Sequence, residues 1–285
     1  MSYLTTAEDF SKTIMDKNIV IFDADGVLVD FYTPFFDLAD KKGYIRLQDS
    51  EFKTLEDILS VDGKNTLNKT FGIEKANKIL NSLIAEQFSK EESVSSLNEI
   101  YGAKDSVDKL LKLGFTPVCV TNLPSEYAQE RVKCFNRIGI HIPIIINRGP
   151  KTPVYKKIRE QTNKLMVVID DCHSHAVEAV TTGVGELDEL SSSIMFLGGG
   201  GIDCGEKTHI SSRLTKSSSW EENIKVLEYY LNRFNAFSKI AESKKISTLD
   251  FIKKYIISGK ISYSKALKSN NIIDGMKSQI NHKKL

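Results

Sequence analysis

Four short, largely apolar runs, at residues 19–22, 115–120, 142–146 and 165–169, each break off at a polar residue. Stretches with helical spacing, at 105–113, 125–138 and 153–161, precede or separate the last three. Apolar runs of this length are those of parallel strands buried on both faces. Strands alternating with helices at this spacing predict right-handed crossovers and a doubly wound parallel α/β sheet. Ligands in such sheets bind beyond the carboxyl ends of the strands, so the residues just past each run carry the functional question.

Between residues 31 and 101 the pattern changes. Ala76, Ile79, Leu80, Leu83 and Ile84 recur at helical spacing without a convincing strand, which predicts an inserted α-helical cap over 31–101. Residues 1–30 and 102–235 form the expected core, in which a helix at 174–181 leads to a last strand near 194–197. A Gly- and Ser-rich stretch then runs to 219, and helical spacing resumes with Trp220, Ile224, Leu227, Tyr230 and Leu231. Residues 236–285 read as a lysine-rich helical C-terminal extension.

A length of 285 residues accommodates one large α/β domain with such an insertion. The composition, 41% hydrophobic and 27% charged, excludes a wholly disordered or fibrous chain. A net charge of +2 does not by itself point to nucleic acid, which remains a possible partner but not the favoured one. The tail lysines, such as Lys244, Lys245, Lys253 and Lys254, read as a solvated face. No apolar run approaches the roughly 20 residues of a membrane span. Cys119, Cys134, Cys172 and Cys204 are too scattered for a disulfide framework or a zinc knot, and predict reduced thiols in the cytoplasm. Nothing in the sequence sets an oligomeric state.

The chemistry concentrates in Asp23-Ala24-Asp25-Gly26-Val27-Leu28, directly after the first apolar run. Two carboxylates emerging together at a buried strand end are unfavourable without a counter-charge. A divalent cation with a taste for hard oxygen ligands, magnesium above all, supplies one. Gly26 permits a tight turn immediately after the two acids.

This segment resembles the first motif of the haloacid dehalogenase (HAD) superfamily, an apolar strand followed by D-x-D-G-[VT], and the resemblance runs from about residue 19 to 197. It implies a Rossmann-like HAD core in which Asp23 is the nucleophile and Asp25 the general acid/base. Asp25 argues for phosphate-ester chemistry, because a true dehalogenase needs no such acid. Val120-Thr121-Asn122 resembles the second motif, with the Thr121 hydroxyl on a phosphoryl oxygen and Asn122 orienting the site. Gly149-Pro150-Lys151-Thr152-Pro153 resembles the third with a shifted proline; Lys151 is the expected charge-balancing lysine and Lys156 its competitor. Ile169-Asp170-Asp171 resembles the fourth. It implies Asp171 as a direct Mg2+ ligand and Asp170 as a direct or water-mediated one, joined by Asp23 and the Asp25 backbone carbonyl.

An insertion between the first and second motifs corresponds to the C1 type of cap, whose closure excludes water and whose side chains choose the substrate. Lys64, Asn65, Lys69 and Lys75 are candidate substrate contacts. The expected activity is magnesium-dependent hydrolysis of a small phosphorylated substrate, a sugar phosphate or nucleotide monophosphate, through an aspartyl-phosphate. A phosphomutase with the same nucleophile, a nucleic-acid end phosphatase using the basic tail, and a non-catalytic HAD-fold binding module compete with it. His173 and His175 read as helix-capping or surface residues, and Cys172 as non-catalytic. The glycines at 198–201 read as a turn, because Glu206 separates Gly205 from Lys207 and breaks the P-loop spacing.

Overall fold

The computed structural model describes residues 1–42, 78, 82, 86–87, 91–184, 189–199 and 213–257. Strands β1 (Tyr3–Leu4), β2 (Asn18–Phe22), β3 (Phe115–Asn122), β4 (Pro143–Asn147), β5 (Met166–Asp170), β6 (Ser191–Phe196) and β7 (Leu214–Ser217) form one sheet in the order β1-β4-β3-β2-β5-β6-β7. Every neighbouring pair is parallel. The helices are α1 (Ala7–Ser11), α2 (Tyr32–Lys41), α3 (Glu91–Ser95), α4 (Ala103–Lys112), α5 (Ala128–Arg137), α6 (Thr152–Arg159), α7 (His173–Val180), α8 (Trp220–Ser243) and α9 (Thr248–Phe251).

Residues 19 to 22 of β2 are completely buried, as their apolar run requires of a central strand. On one face Ile19, Ile21, Val118, Val120, Met166 and Val168 pack with Phe10 and Ile14 near α1 and with Tyr155 and Ile158 of α6. Each such side chain contributes about 1.5–3 kcal/mol by leaving water. Elsewhere in the core Trp220 meets Phe22 and Phe196, with ring centroids 5.7 and 5.5 Å apart, and its indole N–H donates to the Val27 carbonyl at 3.1 Å.

From β2 the chain builds outward through β3 and β4, then returns across β2 to place β5 on its other side. The order therefore reverses at β2, and the crevice at its carboxyl end is where a doubly wound sheet binds ligands. Asp23 and Asp25 begin there.

The insertion leaves and re-enters the core at one place. Asp30 N–H donates to the Asn98 carbonyl at 2.9 Å, Ile100 N–H donates to the Leu28 carbonyl at 3.0 Å, and Val29 bridges Glu99 in antiparallel fashion. Helices α2 and α3 lie at its two ends. Most of the expected cap between those helices, including Lys64, Asn65, Lys69 and Lys75, falls outside the described residues, as do Cys204 and the Gly205-Glu206-Lys207 segment.

The chain divides into two compact units, Met1–Ile224 and Lys225–Leu285. Helix α8 is continuous from Trp220 to Ser243, so residues 235 and 236 lie within one helix. In the second unit Ser247 caps α9 by accepting from the Asp250 N–H at 3.0 Å, and the Phe237 and Phe251 rings pack with centroids 5.9 Å apart. Among the described residues no helix is long and apolar enough to cross a membrane.

Candidate active site

Strand register brings the acids together. Phe22 pairs with Ile169, and the Asp23 N–H donates to the Ile169 carbonyl at 2.9 Å, so Asp23 emerges beside Asp170 at the ends of β2 and β5. Ligand oxygens of Asp23, Asp170 and Asp171 all lie within 4.8 Å of one another. Lys151, fully buried at the start of α6, places its Nζ 3.0 Å from Asp23 Oδ1 and 2.8 Å from Asp170 Oδ2. Lys156 is exposed on the same helix.

Two neighbouring elements hold Lys151 in place. Glu178 Oε2, reaching from α7, accepts from the Lys151 N–H, the Thr152 N–H and the Thr152 hydroxyl, each at 2.9 Å. This carboxylate satisfies open amides at the α6 N-terminus and suits its dipole. Asn122 Nδ2 donates to the Gly149 carbonyl at 3.0 Å while its Oδ1 accepts from Asn147 at 2.7 Å. Its amide therefore struts the loop that delivers Lys151. Thr121, by contrast, is 1% exposed, and its hydroxyl has no hydrogen-bond partner among the described residues. A buried, unpaired hydroxyl at a strand end suits a ligand oxygen.

The turn after β2 depends on Gly26. Its φ is +76°, and a Cβ there would lie 2.2 Å from Asp171 Oδ2 and 2.8 Å from the Tyr32 ring. Gly199 approaches the turn from outside, so closely that a Cβ on it would lie 1.9 Å from the Gly26 carbonyl oxygen. The glycine run thus begins as a close-packed backbone contact.

The electrostatics are unbalanced in a way that a cation corrects. Burial is the largest influence on Asp23 and pushes its carboxyl up to about 6; Lys151 opposes this, while Asp170 and Asp25 add to it. Burial, then the Asp23 and Asp170 charges, drive Asp171 well above the usual carboxylate range. Burial acts on Asp170 too, but Lys151 and His175 outweigh it and its pKa falls. Lys151 loses solvation on burial, yet Asp170 and Asp23 hold its ammonium well above the ordinary value. Three clustered carboxylates against one ammonium leave room for a divalent charge, and their hard oxygens suit magnesium.

Several residues here escape the sequence motifs. Tyr32 donates to Asp171 Oδ2 at 2.7 Å. His175 is not the cap of its helix, and it is only partly exposed. Its side chain is 20% exposed with Nδ1 3.4 Å from Asp170 Oδ1, and Cys172 occupies the N-cap of α7. Asp170, Cys172 and His175 accordingly form a second close donor set sharing Asp170. Arg131, from α5, is fully buried, and its Nη2 donates to Asp25 Oδ1 at 2.7 Å and Oδ2 at 2.8 Å. Asp25 is thus held by Arg131 and does not belong to the set of three acids whose oxygens lie within 4.8 Å of one another. Burial works against the Arg131 charge, but Asp25 outweighs it and the guanidinium pKa is raised. The signal for Arg131 was available in the sequence: it shares a helical face with Ala128, Cys134 and Phe135, where an arginine is out of place.

No protein-family model matches the chain, and no curated protein matches it. Solved structures do. Protein Tyrosine Kinase A (PtkA) of Mycobacterium tuberculosis superposes with a TM-score of 0.53 at 16% identity, over 74% of this chain and 98% of that one. The core shares its α/β fold, a seven-stranded parallel sheet among the described residues, with that protein. A haloacid dehalogenase-like family hydrolase from Streptococcus pneumoniae aligns at a TM-score of 0.49 and 16% identity, covering 75% of this chain and 98% of that chain. A HAD-superfamily hydrolase from Ehrlichia chaffeensis aligns at 0.45 and 16%, covering 76% and 99%. Identities this low speak to fold alone, so the reaction of this core has to be argued from its site.

Proposed function

We propose that the protein is a magnesium-dependent phosphomonoester hydrolase that works through an aspartyl-phosphate on Asp23. The observation that carries this reading is the buried Lys151 ammonium wedged between Asp23 and Asp170, with Asp171 alongside, at the switch point of the sheet. Asp23 Oδ1 is anchored by Lys151 and by the Ala24 N–H at 2.7 Å, which leaves Oδ2 as the attacking oxygen.

In this reading Oδ2 attacks phosphorus as the ester P–O bond breaks, and Asp25 gives its proton to the departing oxygen. Water then attacks the aspartyl-phosphate and returns a proton to Asp25. The P–O bond to Asp23 breaks, releasing phosphate and regenerating both carboxyl groups. Lys151 and the unpaired Thr121 hydroxyl hold phosphoryl oxygens throughout. Asp23, Asp170 and Asp171, with the Asp25 carbonyl, would hold Mg2+, which neutralises charge on the phosphoryl group when bound.

The substrate class is a small phosphorylated metabolite, a sugar phosphate or nucleotide monophosphate, chosen by a C1-type cap built from the insertion. Free and buried, Cys119 and Cys134 support a cytoplasmic setting. The test is phosphate release from a panel of phosphomonoesters, with and without magnesium, by the wild type and by Asp23→Asn. Magnesium-dependent release lost in the variant supports the reading; release that survives Asp23→Asn overturns it.

A further inference from the structure

Arg131 stands in an unfavourable place for an arginine. Its side chain is wholly buried, and a single nitrogen, Nη2, makes both contacts to Asp25. Nε and Nη1 are also buried and have no hydrogen-bond partner among the described residues. Each unmet donor costs about 1–3 kcal/mol. The Phe135 ring, 5.9 Å from the guanidinium carbon, offsets only part of this. Buried ion pairs are commonly no more stabilising than apolar groups of the same volume. Core stability therefore does not account for Arg131.

What the contact does supply is direction. Asp25 follows Asp23 by two residues in a tight turn, and its side chain remains 19% exposed. Three other carboxylates gather within 4.8 Å of one another close by. Without a fixed partner, Asp25 is free to swing into solvent or to join the cation-binding acids, and in either place it is lost to the leaving oxygen. Arg131 grips both of its oxygens from a rigid helix.

We propose that Arg131 is the positioning residue for Asp25, keeping that carboxyl apart from the metal-binding acids and available to protonate the departing oxygen. The inference rests on the phosphohydrolase reading above. It confines the contribution of Arg131 to proton donation, so its loss is felt in proportion to the basicity of the leaving oxygen.

The experiment compares kcat/KM for phenyl phosphate, whose phenolate needs a proton, and p-nitrophenyl phosphate, whose weakly basic phenolate does not. This ratio reports only steps up to leaving-group departure, so later hydrolysis of the aspartyl-phosphate drops out. Arg131→Met in the full-length, magnesium-supplied protein is expected to lose about 100-fold or more on phenyl phosphate. On p-nitrophenyl phosphate the loss is at least about tenfold smaller. Asp25→Asn shows the same split, and the double variant falls no lower than Asp25→Asn alone, as expected of residues acting as one unit. Arg131→Lys, which keeps a donor, recovers part of the phenyl phosphate rate. Equal losses on both esters, or multiplicative losses in the double variant, overturn the proposal. Should Arg131→Met fail to fold by circular dichroism, Arg131→Lys decides on the same split. If Asp23→Asn and Asp25→Asn behave as expected and the arginine variants show no split, the proposal alone falls. If Asp23→Asn still releases phosphate, the hydrolase reading falls with it.

Discussion

Tyr32 donates its phenolic hydrogen to Asp171 Oδ2 at 2.7 Å, so the first residue of α2 holds an acid that lies just beyond β5. A partner of this kind orients a metal ligand, and its loss typically weakens metal binding by about 10–100-fold. Tyr32→Phe is therefore expected to shift the magnesium activation curve upward by about tenfold. Asp171→Asn shifts it much further. A magnesium titration checks both, and an unshifted curve for Asp171→Asn removes that residue from the metal site.

Glu178 offers one oxygen to three donors around Lys151. Replacing it by glutamine removes the charge that stabilises the α6 N-terminus, at a cost of about 1–2 kcal/mol. The freed lysine is expected to lower kcat/KM by about tenfold, since small misplacements in a site are felt strongly. Thermal melts and phosphate-release assays on Glu178→Gln test this; unaltered activity would show that Lys151 is held by its carboxylate partners alone.

Gly26→Ala meets two obstacles, a left-handed φ of +76° and an atom 2.2 Å from its new Cβ. The backbone conformation alone costs about 1–2 kcal/mol, and the overlap adds about 1–3 kcal/mol. Urea unfolding should show the loss, accompanied by weakened magnesium activation because the clash falls on Asp171. Native stability in this variant would mean that the turn relaxes without moving the acid.

Magnesium affinity should depend on pH in a definite direction. The Asp23 carboxyl is raised to about 6 when no cation is present, and a ligand must be deprotonated to bind. Protons therefore compete for Asp23 below that value, and for Asp171, whose carboxyl is also raised by burial, so affinity climbs as pH rises through about 6. Calorimetric titrations at about pH 5 and about pH 8 distinguish this from a flat profile, which would place Asp23 outside the metal shell.

Much of the sheet was legible because β2, β3 and β5 are buried along most of their length and so read as apolar runs, and because β4, though only partly buried, keeps the run Ile144-Ile145-Ile146. Strands β1 and β7 were not, since two and four residues at the sheet edges carry no such run. The start of β6 also hid itself: Ser191, Ser192 and Ser193 look like a loop in sequence, yet all three are buried, and Ser193 Oγ bonds the Val168 carbonyl. In the site, the acids were visible because they sit at or just past strand ends, and Lys151 because it lies in a recognisable string at the start of α6. Arg131, Tyr32, Glu178 and His175 reach the same crevice from helices. Their arrival depends on tertiary packing, which leaves no spacing to read. The exception is Arg131, whose charge on an apolar helical face marked it as anomalous.

The bond from Asp30 to the Asn98 carbonyl, with Val29 against Glu99, ties the entrance of the insertion to its exit. Because both ends are already side by side, closing a loop of any other length between them costs little additional chain entropy. The core can therefore trade one intervening segment for another without altering its strand register or its acids. Such a junction behaves like a socket: what is plugged into it can be exchanged while the sheet beneath stays as it is.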